Sequence, residues 1–368
     1  KKNIDRILMT EIKTKAAVYM YIGRHLGGAE RRLIRIFSNM PDPVHAEIFI
    51  LEGKEKKAQE LIEPFITEKA KIKIFSNIWF LIAYLVQNRF TWVVGFTPGG
   101  RFILISLFAW LFRIKRLFLS VQTSSSNLIF GQTFSQRSYK FKFLMCVRLA
   151  TVLDCLYPSA LEKLQRRFPS KRIKVTANSF TDLEKFNPGS HKDKYIVFAS
   201  TLIPIKNVDL FIRALSIIQD SIRELQYKCF ICGDGPLLPS LKKMVTDTHC
   251  SDIIEFTGRI RMEQILPQTE IFCSLQSVNN YPSQSLIEAI ACGCYCVATD
   301  CGDTSKLVKE DFGKLVEFDP RSIAGALLEA MRFDCTQWDE IKKKAREFAE
   351  KNCDIKTSVD YYTKILLK

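Results

Sequence analysis

Pro282-Ser283-Gln284-Ser285-Leu286-Ile287-Glu288-Ala289-Ile290-Ala291-Cys292-Gly293 opens on a proline–serine pair and closes on a glycine. Apolar residues between them recur at helical spacing, which predicts a helix over 283–291 with Ser283 as its N-cap. The first-turn N–H groups of such a helix form an anion site. Glu288 lies one turn further in. The run continues through Cys294 into Tyr295–Thr299, a β-branched and apolar stretch that reads as a buried strand.

Outward from this segment, apolar strands alternate with helical runs. Tyr195–Ala199 is a strand, Val208–Gln219 a helix, Lys228–Cys232 a strand and Pro239–Thr246 a helix. Ile253–Thr257 and Ile271–Leu275 are further strands. The first half reads the same way: strands at Ala16–Ile22, Ala46–Leu51, Ile72–Phe75, Thr91–Phe96 and Leu117–Gln122, with helices at Ala29–Asn39, Asn77–Gln87 and Phe102–Lys115. Strands alternating with helices of this length imply parallel sheets covered on both faces. The polar tract Asn178–Lys194, with Asn187-Pro188-Gly189-Ser190, reads as a linker. The expected domains are 1–182 and 183–354, with the amphipathic segment of about 355–368 packing back on the first. Ligands of open α/β sheets bind outside the strands' carboxyl ends.

Three loops at those ends carry candidate chemistry. Cys232-Gly233-Asp234-Gly235-Pro236 joins a strand to a helix, where glycines permit a tight turn and a close approach. Thr257-Gly258-Arg259 follows the next strand. In Ser200-Thr201-Leu202-Ile203-Pro204-Ile205-Lys206, the lysine offers a point charge for a phosphate.

In this order and spacing, the segments over roughly 195–318 resemble the family 4 retaining glycosyltransferases, glycosyl transferases group 1. The amino half is similar more weakly, through Gly27-Gly28-Ala29-Glu30-Arg31 and Thr176-Ala177-Asn178-Ser179-Phe180. The resemblance implies an α/β GT-B fold, two Rossmann-like domains facing a central cleft. It also implies roles. Gly27 and Gly28 place amides near donor phosphates, and Lys206 holds the diphosphate leaving group. Tyr281 and the segment Ser283, Gln284, Ser285 contact sugar and phosphates. Glu288 holds the ribose, the backbone at Arg259 and Ile260 holds the base, and Thr201, Gly233 and Gly235 complete the donor site. Arg24, His25 and Gln122 are acceptor-side candidates. Asn280, with Lys206 and Glu288, makes up the catalytic set.

The chain departs from the family pattern at three places. Ser200-Thr201 stands where the family has Gly-Arg. Asn280 stands at the first position of E-x7-E. Gln122 stands where a histidine is frequent. Arg259 and Arg24 are the candidates to replace the missing arginine. There is no D-x-D, and the resemblance implies a metal-independent enzyme without cofactor, using a UDP- or GDP-linked sugar as co-substrate.

Charge points to the other substrate. Of the net +15, residues 1–180 hold 30 Lys+Arg against 12 Asp+Glu, and the remainder holds 24 against 27. A basic half beside a near-neutral half implies a polyanionic partner on one domain. Each basic residue near an anionic bilayer adds about 1 kcal/mol of attraction. A nucleic acid is not expected, because no recognition motif and no aromatic–basic interleaving accompanies the charge. The expectation is a cytoplasmic enzyme, peripheral at the inner face of the cell membrane. It would move a hexose-type sugar, with retention, to a lipid-linked or membrane-associated glycan in bacterial surface polysaccharide synthesis. The alternative is a degenerate, weakly catalytic homologue acting as a scaffold. Phe102–Phe112 is apolar but shorter than the roughly 20 residues of a spanning helix. No signal-peptide pattern is visible, although the sequence begins at Lys1. The twelve cysteines lie scattered or in apolar runs, which reads as reduced, buried thiols. The C-x-x-C of Cys229 and Cys232 sits in a strand that points its thiols to opposite faces.

Overall fold

The computed structural model describes residues 14–22, 28–52, 58–62, 71–120, 134–176 and 180–368. The chain divides into two compact units, residues 1–177 with 358–368, and residues 178–357.

Unit 1 contains β1 (Thr14–Ile22), α1 (Gly28–Ser38), β2 (Val44–Glu52), α2 (Ala58–Ile62), β3 (Lys71–Phe75), α3 (Ile78–Gln87) and β4 (Trp92–Gly95). It continues with α4 (Gly100–Leu111), β5 (Lys115–Ser120), α5 (Phe134–Leu149), β6 (Val152–Cys155), α6 (Leu161–Arg167) and β7 (Arg172–Val175). The seven strands are all parallel, in the order β3-β2-β1-β4-β5-β6-β7. Each crossover needs a helix-length connection, which the alternating sequence supplies. Ala16, Ala17 and Val18 of central β1 are fully buried.

Unit 2 contains β8 (Asp193–Ala199), α7 (Val208–Ile217), α8 (Gln219–Glu224), β9 (Lys228–Cys232), α9 (Leu238–Asp247), β10 (Ile254–Gly258) and β11 (Thr269–Ser274). Then come α10 (Gln284–Ala291), β12 (Tyr295–Thr299), β13 (Gly313–Val316), α11 (Pro320–Ala330) and α12 (Cys335–Asn352). Its parallel sheet has the order β10-β9-β8-β11-β12-β13. This is a doubly wound order, and the strand sequence reverses between β8 and β11. The last helix, α13 (Ile355–Leu366), begins in unit 2 and ends in unit 1.

Several boundaries differ from the sequence reading. The expected helix 102–115 stops at Leu111. Arg113 takes a left-handed φ of 58°, and Ile114 N–H donates back to Ala109 O at 2.7 Å, so the chain turns directly into β5. The expected single helix 208–219 breaks at Ile218, which leaves the helical region at φ −114°. The polar tract expected as a linker falls inside unit 2 and is tied down there. Arg346 donates to Phe186 O and Leu183 O, and Lys342 donates to Gly189 O. Asp193 and Lys194 already belong to β8. Strands β6, β7 and β13, of four residues each, were not expected from the sequence. All twelve cysteines are free, and ten are buried. Among the described residues, no helix is long and apolar enough to cross a membrane.

The end of α13 is fixed to unit 1 by a buried carboxylate. Asp154 of β6 accepts from Thr176 Oγ1 at 2.6 Å, from Tyr362 OH at 2.9 Å and from Tyr361 OH. Trp92 Nε1 donates to Leu366 O at 2.8 Å. Burial pushes the Asp154 carboxyl above its ordinary value, opposed by the hydroxyls that donate to it. Replacing Asp154 by Leu leaves three hydroxyls without their acceptor and lowers unfolding stability by roughly 2–4 kcal/mol. Because the folded pKa is raised, this group's contribution is full below the unfolded value of 3.8 and declines as pH rises through the folded pKa. Chemical denaturation of wild type and variant across acidic to neutral pH therefore shows a deficit that is largest in acid.

Candidate functional site

The point of strand reversal in unit 2 is where the candidate side chains gather. The chain leaves β8 at Ala199 and makes a short 3-10 turn, Pro204–Lys206; from β11 it reaches Gln276 in two residues. Lys206 Nζ donates to Gln276 Oε1 at 2.6 Å across this gap. Two more bonds tie the loops together. Asn207, at a left-handed φ of 52°, donates from Nδ2 to Leu275 O at 2.9 Å, and Ser277 N–H donates to Ile205 O at 3.1 Å. Gln276 is 8% exposed. Its N–H donates to Thr299 Oγ1 at 2.8 Å, and Thr299 Oγ1 donates back to Gln276 O at 2.9 Å. The acceptor that holds Lys206 is therefore itself immobilised by β12.

Lys206 is half-buried, and desolvation holds its ammonium below the ordinary lysine value of 10.5. Among the described residues no carboxylate pairs with it. A cation held by a neutral amide keeps its full charge for an incoming anion.

Around Lys206 lies a cavity of about 510 Å³ contained in unit 2. One wall is the glycine turn after β9. Gly233 has φ 140°, and a Cβ there would fall 1.8 Å from Ser200 O, so only glycine fits. A Cβ on Gly235 would fall 2.5 Å from the O of Leu202, whose N–H donates to Asp234 O at 3.0 Å. The two glycines thus let this turn lie flush against the segment after β8. The opposite wall is the start of α10. Ser283 occupies the N-cap position, but its hydroxyl makes no capping bond, contrary to the expectation from Pro282-Ser283. Ser285 Oγ instead donates to Ala199 O at 3.4 Å, tying the first turn of α10 to the end of β8. Gln284 Nε2 donates to Glu288 Oε1 at 3.1 Å, which orients the carboxylate.

The cavity brings together Lys206, Glu288, Asn280, Thr201 and Gly233 with Arg259, Ile260, Ser283, Gln284 and Ser285. Gly235 and Tyr281 do not line it; Tyr281 is 5% exposed. Asn279 shapes the loop, donating to Asp303 Oδ2 at 2.8 Å and accepting from Tyr281 N–H at 3.1 Å, and its neighbour Asn280 faces the cavity. Gly28 opens α1 in unit 1. Gly27, Arg24, His25 and Gln122 lie outside the described residues. Sequence reasoning missed Gln276 and Met262 in the lining, and quoted Asp234 only as part of the glycine turn. For Gln276 a signal existed: a polar residue directly after an apolar strand, at the sheet's carboxyl edge.

Replacing Gln276 by Leu leaves the Lys206 ammonium without this acceptor and costs about 1–3 kcal/mol at neutral pH. The folded pKa of Lys206 is already lowered, and the variant lowers it further. Such a penalty is full below the folded pKa and fades as pH rises through it toward 10.5. Thermal unfolding of the two proteins should converge at alkaline pH; a deficit independent of pH would assign Gln276 to packing alone.

Residues 180–351 match the family model of glycosyl transferases group 1. The chain is 27% identical over 270 residues to the N-acetylgalactosamine-N,N'-diacetylbacillosaminyl-diphospho-undecaprenol 4-alpha-N-acetylgalactosaminyltransferase of Campylobacter jejuni, covering 70% of this chain and 71% of that one. It is 24% identical over 155 residues to the N-acetyl-alpha-D-glucosaminyl L-malate synthase of Bacillus anthracis, a match spanning 41% of this chain but only 40% of that enzyme. The fold is similar to that of Alr3699/HepE from Anabaena, solved in complex with UDP, at a TM-score of 0.77 and 15% identity over 96% of this chain and 99% of that chain. The chain therefore has a GT-B fold, and its residues 180–351, a little under half of its length, are similar to glycosyl transferases group 1.

Proposed function

We propose that this protein is a glycosyltransferase that takes a hexose-type sugar from a UDP- or GDP-linked donor and moves it, with retention of configuration, to a lipid-linked or membrane-associated glycan. The reading rests on one observation: a half-buried Lys206 with no carboxylate partner among the described residues, fixed at the strand-reversal point beside the start of α10. A desolvated cation next to helix N–H groups is suited to a diphosphate leaving group. The UDP complex of the similar Anabaena protein and the diphospho-undecaprenol named for the Campylobacter relative support donor and acceptor class respectively.

In this reading Lys206 and the α10 amides stabilise charge as the sugar–phosphate bond breaks. The departing phosphate takes the acceptor's proton, and no metal is required. Glu288, oriented by Gln284, holds the ribose hydroxyls, and Asn280 bonds the sugar as a neutral donor and acceptor. Positioning of donor against acceptor supplies the rest. The setting we propose is bacterial surface polysaccharide assembly at the inner membrane face.

A second reading has its own observation. The cavity presents Thr201 and Asn280 where the family has an arginine and a glutamate. A degenerate homologue acting as a scaffold would tolerate both losses.

A thermal-shift panel with UDP, GDP, ADP, CDP, dTDP and CMP separates the readings, because a ligand of the folded state raises Tm. The expected result is a shift with UDP or GDP, abolished in Lys206→Ala. In transfer assays Lys206→Ala and Glu288→Ala should each lose at least tenfold with Tm unchanged. Silence with every nucleotide, and turnover gained in Thr201→Arg/Asn280→Glu, would establish the scaffold.

A further inference from the structure

Unit 1 carries an exposed apolar surface that the donor site does not use. Trp79 and Phe80 at the start of α3, and Leu107, Trp110, Leu111 and Phe112 at the end of α4, all face solvent, Phe80 at 66% and Trp110 at 63% exposure. They belong to one surface, because the Trp79 ring meets Phe108 edge-on at 5.8 Å, joining the start of α3 to the last turns of α4. Leu107 and Leu111 stand four residues apart, and Trp110 stands three from Leu107, so they share one helix face. Beneath them Phe102, Ile105 and Ala109 point into the core. The helix α4 therefore has two apolar faces, and the outer one is unexplained by the packing of its own unit.

The stretch of sequence that carries this surface has charge of a single sign. From residue 69 to residue 153 the sequence holds twelve Lys+Arg and not one Asp or Glu. Arg113 follows the patch directly and is exposed, as is Arg137 on the neighbouring α5.

We infer that this α3–α4 surface docks onto an anionic lipid bilayer, with the tryptophans and phenylalanines entering the headgroup region and the basic residues meeting lipid phosphates. Tryptophan beside arginine and lysine is the side-chain set of a membrane–water interface. Basic residues add attraction to an anionic surface that falls off within a Debye length. A second copy is a poorer occupant, because a two-fold contact would press the same cationic face against itself. A protein partner's interface is ordinarily ringed by polar residues of mixed kind, whereas the segment that carries this surface holds only positive charge. The surface deepens the reading of a membrane-associated acceptor given above. It would give the enzyme a bilayer on which to meet lipid-linked substrate without a spanning helix.

The test is co-sedimentation of the full chain with vesicles of phosphatidylcholine alone or mixed with phosphatidylglycerol, without any sugar donor. The expected result is binding to the mixed vesicles only, weakened by salt. Acyl-chain-brominated phosphatidylglycerol should quench tryptophan fluorescence, and Trp79→Ser/Trp110→Ser should bind at least tenfold more weakly while keeping its Tm and its nucleotide-induced shift. Arg113→Glu should raise the fraction left in solution. Lys206→Ala should pellet like wild type, which separates docking from the donor-site reading: that variant can fail in transfer while docking stands. Equal binding to both vesicle types, no binding to either, or wild-type binding by the double tryptophan variant would overturn the inference. So would light scattering that finds a dimer which Trp110→Ser dissociates, since the face would then belong to a second copy.

Discussion

A lysine ammonium half-withdrawn from water is the constraint on which the site depends. Desolvating a cation is unfavourable, and a carboxylate partner is the usual remedy. Lys206 has instead the neutral amide oxygen of Gln276. That choice leaves the charge uncompensated and fixes its position, and both consequences suit a site awaiting an anion. The arrangement requires β8 and β11 to be neighbours, with their following loops splayed apart and then laced together by Asn207 and Ser277. Strand order is thus part of the electrostatics, since another topology would separate Lys206 from its acceptor.

The glycines serve the same end by a steric route. Gly233 and Gly235 remove the side chains that would hold the turn after β9 away from residues 200–202. The turn then closes the cavity against the segment that leads to Lys206. The cap of α10 completes the enclosure differently from a standard helix start. With Ser283 making no capping bond, it is Ser285 that ties the helix to the end of β8. Side chains that normally satisfy a helix terminus are here used to locate it.

Unit 1 is organised around a different balance. Its strands are buried throughout the centre of a wide sheet, and its closing helix is held through Asp154, a carboxyl that burial disfavours and three hydroxyls support. Its outer helices leave aromatic surface in solvent, at a price in solubility that the uniformly basic sequence around them offsets. The two units thus divide the work: unit 2 holds the cavity suited to an anion, and unit 1 holds the basic and aromatic surface.

The alternation of strands and helices, the glycine turn, the position of Lys206 after its strand and the helix that carries Glu288 were all legible in the amino-acid order. These follow from local rules: apolar periodicity, the freedom of glycine, and the restriction proline places on its neighbours. Only the tertiary structure decided that Gln276 is the acceptor of Lys206, because the two are 70 residues apart and meet only when β11 pairs with β8. It alone turned Tyr281 inward and left Asn280 at the cavity, a difference set by the bond from Asn279 to Asp303. The short strands β6, β7 and β13 were not read from the sequence; β6 and β13 owe their place to pairing with β5 and β12, and β7 to pairing with β6 at the sheet's edge. Apolar residues in α4 told the sequence only that a helix is apolar; which side faces the core and which faces water was settled by packing against the sheet.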